Sequence, residues 1–219
     1  MMNYLLTSLF FLSVVFGSAL QAQDSTGIGG KPYQADARGT SSYLFSDWYT
    51  GSVRTDDDQM HDGVMLRYDL TRDEVEYRSG GSIYRADARV TEFNIPTGTD
   101  LYTFKNGYPA VAGQTDKSFY RLIYDGNTKL LKKYTKPIEI EKASATTEMD
   151  KDARLYILKN NKLNLVTLSD RNSFLKLLAD EKNKMQYVIK EEMLDFSGED
   201  DLLKLLEEYD SYKAGRGGN

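Results

Sequence analysis

The chain has no cysteine, a single histidine, one tryptophan and four prolines in 219 residues. Without thiols there is no disulfide framework, thiolate nucleophile or cysteine metal site, so the fold must hold by packing alone. With His61 as the only imidazole, acid–base chemistry near neutral pH has almost nothing to draw on. An excess of positive charge is also missing. The net charge is −5 and both halves are mildly acidic, so neither a phosphate backbone nor an anionic membrane surface is an expected partner. After residue 22 no apolar run reaches the roughly 18 residues that a membrane-spanning helix requires. Nor is there a glycine-rich phosphate loop or a Gly-x-Ser-x-Gly elbow.

One apolar run is present, at the front. Tyr4 to Phe16 is almost wholly apolar and gives way to small and polar residues ending Leu20-Gln21-Ala22. That is the form of a secretory signal peptide, with cleavage expected before Gln23 and residues 1–22 removed. The mature protein is then expected to be periplasmic or secreted. No cysteine follows the cleavage site to carry a lipid, so no lipoprotein anchor is expected. Residues 23–42 are rich in Gly, Ser, Thr, Gln and Ala without a hydrophobic period, and read as a flexible leader.

From Tyr43 the texture changes to short alternating segments. Val64, Leu66, Tyr68 and Leu70 recur at every second residue, and Val75 and Tyr77 resume the pattern after Thr71-Arg72-Asp73. The spacing predicts a half-buried hairpin over 63–78. Further strands are expected at Ile83-Tyr84, Val90–Ile95 and Leu101–Phe104. Asp125-Gly126 supplies the turn of a hairpin from Phe119 to Tyr134, and Asn160-Asn161 supplies another between Leu155–Leu158 and Leu163–Leu168. At Ser169-Asp170 the period switches to that of a helix. Phe174, Leu177 and Leu178, then Met185, Val188 and Ile189, keep i, i+3, i+4 spacing; Ser197 with Asp200 resembles a capping box before Leu202, Leu205, Leu206 and Tyr209.

The expected fold class is therefore α+β: an antiparallel β-meander of about ten strands followed by two or three C-terminal amphipathic helices packed on it. Residues 43–212 are expected to form one domain, β-rich over 43–168 and helical over 169–212, joined by a polar linker near 141–152. Residues 213–219 read as a disordered tail.

Chemistry-bearing clusters are few. Asp56-Asp57-Asp58-Gln59-Met60-His61-Asp62-Gly63 has the acidity of a calcium loop, but Met60 stands where an oxygen ligand belongs and strands flank it, so a polar hairpin connection is expected. Paired carboxylates occur at Glu139/Glu141, Glu191/Glu192 and Glu207/Glu208; nearby lysines make the first pair read as solvated edge charge. No catalytic residue, metal or cofactor is expected. The remaining signal is aromatic: Tyr43, Phe45, Trp48 and Tyr49 gather ahead of the first clear strand. Such rings serve either as core bulk or as a binding surface for sugars or protein partners.

The run Ser42 to Val53, then Leu66-Arg67-Tyr68-Asp69-Leu70, the Tyr120–Tyr134 hairpin and the leucine-rich helices through Leu206 resemble uncharacterised exported envelope proteins of Bacteroidota. The resemblance implies a Gram-negative envelope setting and carries no activity or site residue. The expected role is that of a non-catalytic exported protein that binds an envelope protein by a sheet face or edge. The alternative is a small-ligand or glycan-binding module built on the aromatics near Trp48.

Overall fold

The computed structural model describes residues 26–34, 42–98, 100–138 and 153–215. The expected signal segment 1–22, the linker at 141–152 and most of the expected tail lie outside them. Eleven strands form an antiparallel sheet: β1 (Gly30–Tyr33), β2 (Tyr49–Thr55), β3 (Met60–Asp69), β4 (Glu74–Ser79), β5 (Ser82–Ala86), β6 (Val90–Pro96), β7 (Leu101–Lys105), β8 (Tyr120–Asp125), β9 (Lys129–Tyr134), β10 (Ala153–Lys159) and β11 (Lys162–Val166). Helical structure follows as α1 (Asn172–Leu175), a 3-10 segment (Lys176–Glu181), α2 (Lys182–Glu191) and α3 (Glu199–Lys213). Among the described residues no helix is long and apolar enough to cross a membrane.

The α+β class and the antiparallel sheet agree with the sequence; a simple meander does not. In space the strands run β1-β5-β4-β3-β2-β6-β7-β8-β9-β10-β11, so β1 and β6 sit out of sequence order. The expected leader is corrected here. Gly30–Tyr33 pairs along Ile83–Ala86, and Ile28 just before it is fully buried in the core. The stretch has no alternation to reveal it because Pro32 occupies a sheet edge, the place where a strand tolerates proline.

The displaced β6 dictates a curl. Ala86 and Val90 are four residues apart, a reach of at most about 14 Å. Four flat strand spacings between β5 and β6 would need roughly 19 Å. The first half of the sheet must therefore roll, and its concave side holds a core of Leu66, Tyr68, Tyr77, Phe93, Ile95 and Phe104. Phe93 and Phe104 stack with centroids 4.8 Å apart, and Phe119 meets Phe93 edge-on at 5.0 Å. In the middle of this roll Gly51 passes close to β6: an added Cβ would strike the backbone carbonyl of Asn94. Gly51→Ala should therefore lose about 1–3 kcal/mol by overpacking, seen as a lower urea midpoint. An unchanged midpoint would mean the β2–β6 contact is looser than described.

The second half of the sheet lies between two apolar layers. Leu130, Ile157 and Val166 meet Phe174, Leu178, Met185, Leu202, Leu205, Leu206 and Tyr209 from the helices. The opposite side of β8–β11 holds Tyr108, Tyr120, Leu131, Tyr156 and Leu163. Asn160 and Asn161 both take positive φ (52° and 55°), as the tight β10–β11 turn requires. Asp170 accepts the Asn172 N–H at 3.1 Å, as its helix-start position predicts. The capping box at Ser197 does not form. Gly198 is the N-cap of α3 without a side-chain bond, and Asp201 instead accepts the N–H groups of Asp195 (2.8 Å) and Phe196 (2.7 Å). The C-terminal turn of α3 is tied back to the sheet through buried Asp210, which accepts the Thr128 N–H at 2.9 Å and the Tyr124 hydroxyl at 3.1 Å.

Candidate binding surface

The four aromatics singled out from the sequence do not stay together. Tyr43 bridges to Asp69 and Trp48 precedes β2, which puts both on the convex side of the roll. Phe45 is buried and Tyr49 packs behind it with ring centroids 5.2 Å apart, while Phe45 meets Tyr102 at 5.1 Å. Phe45 belongs to the inner core and half-buried Tyr49 packs against it. Phe45 is thus corrected from surface candidate to core bulk, and Tyr49 turns its ring to the same core while staying half-buried. Tyr49 pairs with Leu66, an inward position of β3, and strand alternation sends it inward as well. Burial pushes its hydroxyl pKa up, with Asp47 and Tyr102 adding to the effect.

On the convex side, cross-strand register lines up charged residues that are scattered in the sequence. Arg67 on β3 stands opposite Glu76 on β4, Glu76 opposite Arg85 on β5, and Arg85 opposite Lys31 on β1. Arg67 donates Nε (2.9 Å) and Nη2 (2.7 Å) to Oε2 of Glu76, which is fully buried. The other Glu76 oxygen lies 3.8 Å from Arg85, whose Nε is 2.9 Å from Glu74. The guanidinium of Arg67 also lies over the rings of Tyr43 (3.7 Å) and Trp48 (4.3 Å). A second row holds Arg78, Ile83 and Tyr33 in register. Arg78 stacks over Trp48 at 4.4 Å and points Nη1 at the sulfur of Met65, 3.7 Å away. Met65 is 40% exposed. Tyr33 sits beneath Arg85 at 4.2 Å.

Sequence reasoning found two members of this surface and missed the arginines. Their signal was present as charges at the outward positions of β3, β4 and β5, but only the register shows that they form rows.

A separate cleft of about 280 Å³ opens at one end of the roll, where Arg72, Asp73, Glu74, Asp87, Lys117 and Phe119 meet. Behind it lies Lys133, 7% exposed. Its ammonium has three acceptors: Asp73 at 2.6 Å, the Phe119 carbonyl at 2.9 Å and the Tyr68 hydroxyl at 3.1 Å. Burial pulls the Lys133 pKa down and the Asp73 carboxylate pushes it back up. The Tyr68 hydroxyl, which also bonds to Asp73, is held well above its ordinary value, by burial first and then by that carboxylate. With every ammonium proton committed, Lys133 serves as a buried tether between the turn after β3 and β9 and has no lone pair to offer a substrate.

Of the remaining sequence candidates, His61 and Asp57 meet only through the Thr55 hydroxyl. His61 places Nε2 3.5 Å from the Thr55 hydroxyl. Asp57 in the adjoining turn accepts that hydroxyl at 2.5 Å and Asp58 binds Arg54 at 2.8 Å. Among the described residues no three of His, Asp or Glu converge to hold a metal ion. Glu139 and Glu141 lie outside the described residues, and Glu192 is engaged with Lys204 at 2.5 Å.

No protein-family model matches this chain, and no curated protein or solved structure does either.

Proposed function

We propose that this is a non-catalytic protein exported to the cell envelope, which acts by binding another protein across the convex face of β3–β5. The observation that carries the reading is the grouping of Tyr43, Trp48, Met65, Arg67 and Arg78 on that face, while the rest of the aromatic cluster is used as core. Tyr, Trp, Met and Arg are the side chains enriched where protein interfaces concentrate their binding energy. The two guanidiniums over Trp48 occupy ring area that a sugar would need, which favours a protein partner over a glycan. The export part of the reading rests on the apolar Tyr4–Phe16 run and on the envelope setting that the resemblance implies.

The test is crosslinking in the native envelope, with a photoreactive residue at Met65 and controls at Leu101 and Tyr187, both more exposed and both away from this face. A discrete protein adduct from position 65 alone is expected. Adducts formed equally from all three positions, or none from position 65, would overturn the reading. Saturable oligosaccharide binding that quenches Trp48 would replace it with the glycan alternative.

A further inference from the structure

Three of the four cations in the two convex rows are accounted for: Arg67 and Arg85 by glutamates, and Lys31 by its place on a solvent-facing edge. Arg78 differs. Its guanidinium has a ring on one side and a thioether nearby, and no carboxylate among the described residues reaches it. The nearest acidic position on its own strand and face is Glu76, which already receives two hydrogen bonds from Arg67. These two rows carry Lys31, Arg67, Arg78 and Arg85 against Glu76 alone, on a chain whose net charge is −5. Glu74, one step along, is engaged with Arg85, and Asp69 on the same side is engaged with Arg72 at 2.8 Å. These rows are locally basic, and Arg78, the one guanidinium in them without a carboxylate partner among the described residues, is stacked on Trp48.

From this we infer that the face recognises a polypeptide segment in which an Asp or Glu carboxylate adjoins an apolar side chain, the carboxylate meeting Arg78 and the apolar group covering Met65 and Ile83. The inference rests on the protein-binding reading above and specifies the partner's chemistry. An arginine presents two parallel N–H donors in the geometry of a carboxylate, and stacking on an aromatic ring leaves that edge available. Holding the side chain in place beforehand removes part of the ordering entropy that binding must otherwise overcome. The apolar requirement follows from Met65 and Ile83, which flank Arg78, and from Tyr33, next in the row beyond Ile83; a purely acidic ligand would leave them uncovered.

Trp48 is the sole tryptophan, so its emission reports directly on this site. The purified protein is titrated at low ionic strength with dodecapeptides carrying Glu-Leu-Glu in a Gly/Ser background. The same peptides with Gln or Lys in place of Glu, and an oligogalacturonate as a non-peptide polycarboxylate, serve as comparisons. Trp48 emission and amide shifts of β3–β5 are followed together. The Glu peptide is expected to bind saturably, the three comparisons at least tenfold more weakly. Arg78→Gln should weaken the Glu peptide at least tenfold with unchanged circular dichroism and melting temperature. If the Gln peptide binds as well as the Glu peptide, or Arg78→Gln changes nothing, the carboxylate inference is overturned while the protein-binding reading stands on its crosslinks. If no peptide moves Trp48 or the β3–β5 amides, the inference is likewise overturned. If the oligogalacturonate matches or exceeds the Glu peptide, both the inference and the protein-binding reading are overturned.

Discussion

Asp73→Ala should lower the free energy of unfolding by about 3–5 kcal/mol, the cost of leaving one partner of a buried ion pair uncompensated. Asp73 holds Lys133 at 2.6 Å, accepts the Phe119 N–H at 3.2 Å and bonds to the Tyr68 hydroxyl, so a single truncation strands two buried donors and a cation. Equilibrium urea unfolding measures the loss. Asp73 sits at φ 59°, a conformation glycine adopts with less strain. Asp73→Gly should nevertheless also destabilise, because relieving the backbone does not restore the acceptor. The double variant Asp73→Ala/Lys133→Met removes the stranded charge and should recover the part of the loss that the unpaired cation causes, leaving the part due to the Phe119 N–H and the Tyr68 hydroxyl. No recovery at all would mean that Lys133 is incidental.

Leu205→Ala should cost about 2–5 kcal/mol, as other fully buried leucines do. Leu205 has no solvent exposure and lies among Leu202, Leu206, Phe174 and the sheet residues Leu130 and Ile157. Helices as short as α3 are marginal alone in water, so its apolar stripe needs the sheet. The informative measurement uses two probes: Trp48 emission reports the rolled half, and far-ultraviolet circular dichroism at the helical band reports the C-terminal half. If residues 43–212 unfold together, both transitions should move to the same lower midpoint. A helical transition that moves while the Trp48 transition stays fixed would divide the chain into two cooperative units.

Period-two alternation made β3 legible because its two sides differ, Leu66 and Tyr68 facing the core and Met65 and Arg67 facing outward, whereas β9, buried on both sides, was legible only as the strand returning from a turn. The turns at Asp125-Gly126 and Asn160-Asn161 were legible because few residues tolerate their geometry. β2 was not, since Gly51 replaces a core side chain where Asn94 presses in, leaving Val53 as the one apolar residue buried at its centre. β1 was hidden by its edge position. The aromatic cluster was legible as a cluster but not by side, because the segment between Tyr43 and Tyr49 is not a regular strand and its alternation cannot be counted through. The arginine rows needed register, which is a relation between strands that no single segment carries. The Ser197 box failed because Gly198 takes the N-cap and the Ser197 N–H is given to Asp195, while Asp201 closes the turn before it on the N–H groups of Asp195 and Phe196.

The placement of β6 beside β2 favours an order of assembly in which the hairpins between them form first. Ser52 meets Asn94 across some forty residues of chain, and prior pairing of β3, β4 and β5 shortens the free loop that this meeting must close. The loop-closure entropy of bringing such distant segments together is therefore reduced in stages by three local hairpin steps rather than met at once. β2 joins the two blocks of the sheet, with β3–β5 and β1 on one side and β6–β11 on the other. Newly made chain emerging from a ribosome would carry β2 with one unpaired side until residue 96 had emerged. That interval, more than any exposed edge of the finished fold, is when this sequence is open to pairing with the wrong strand.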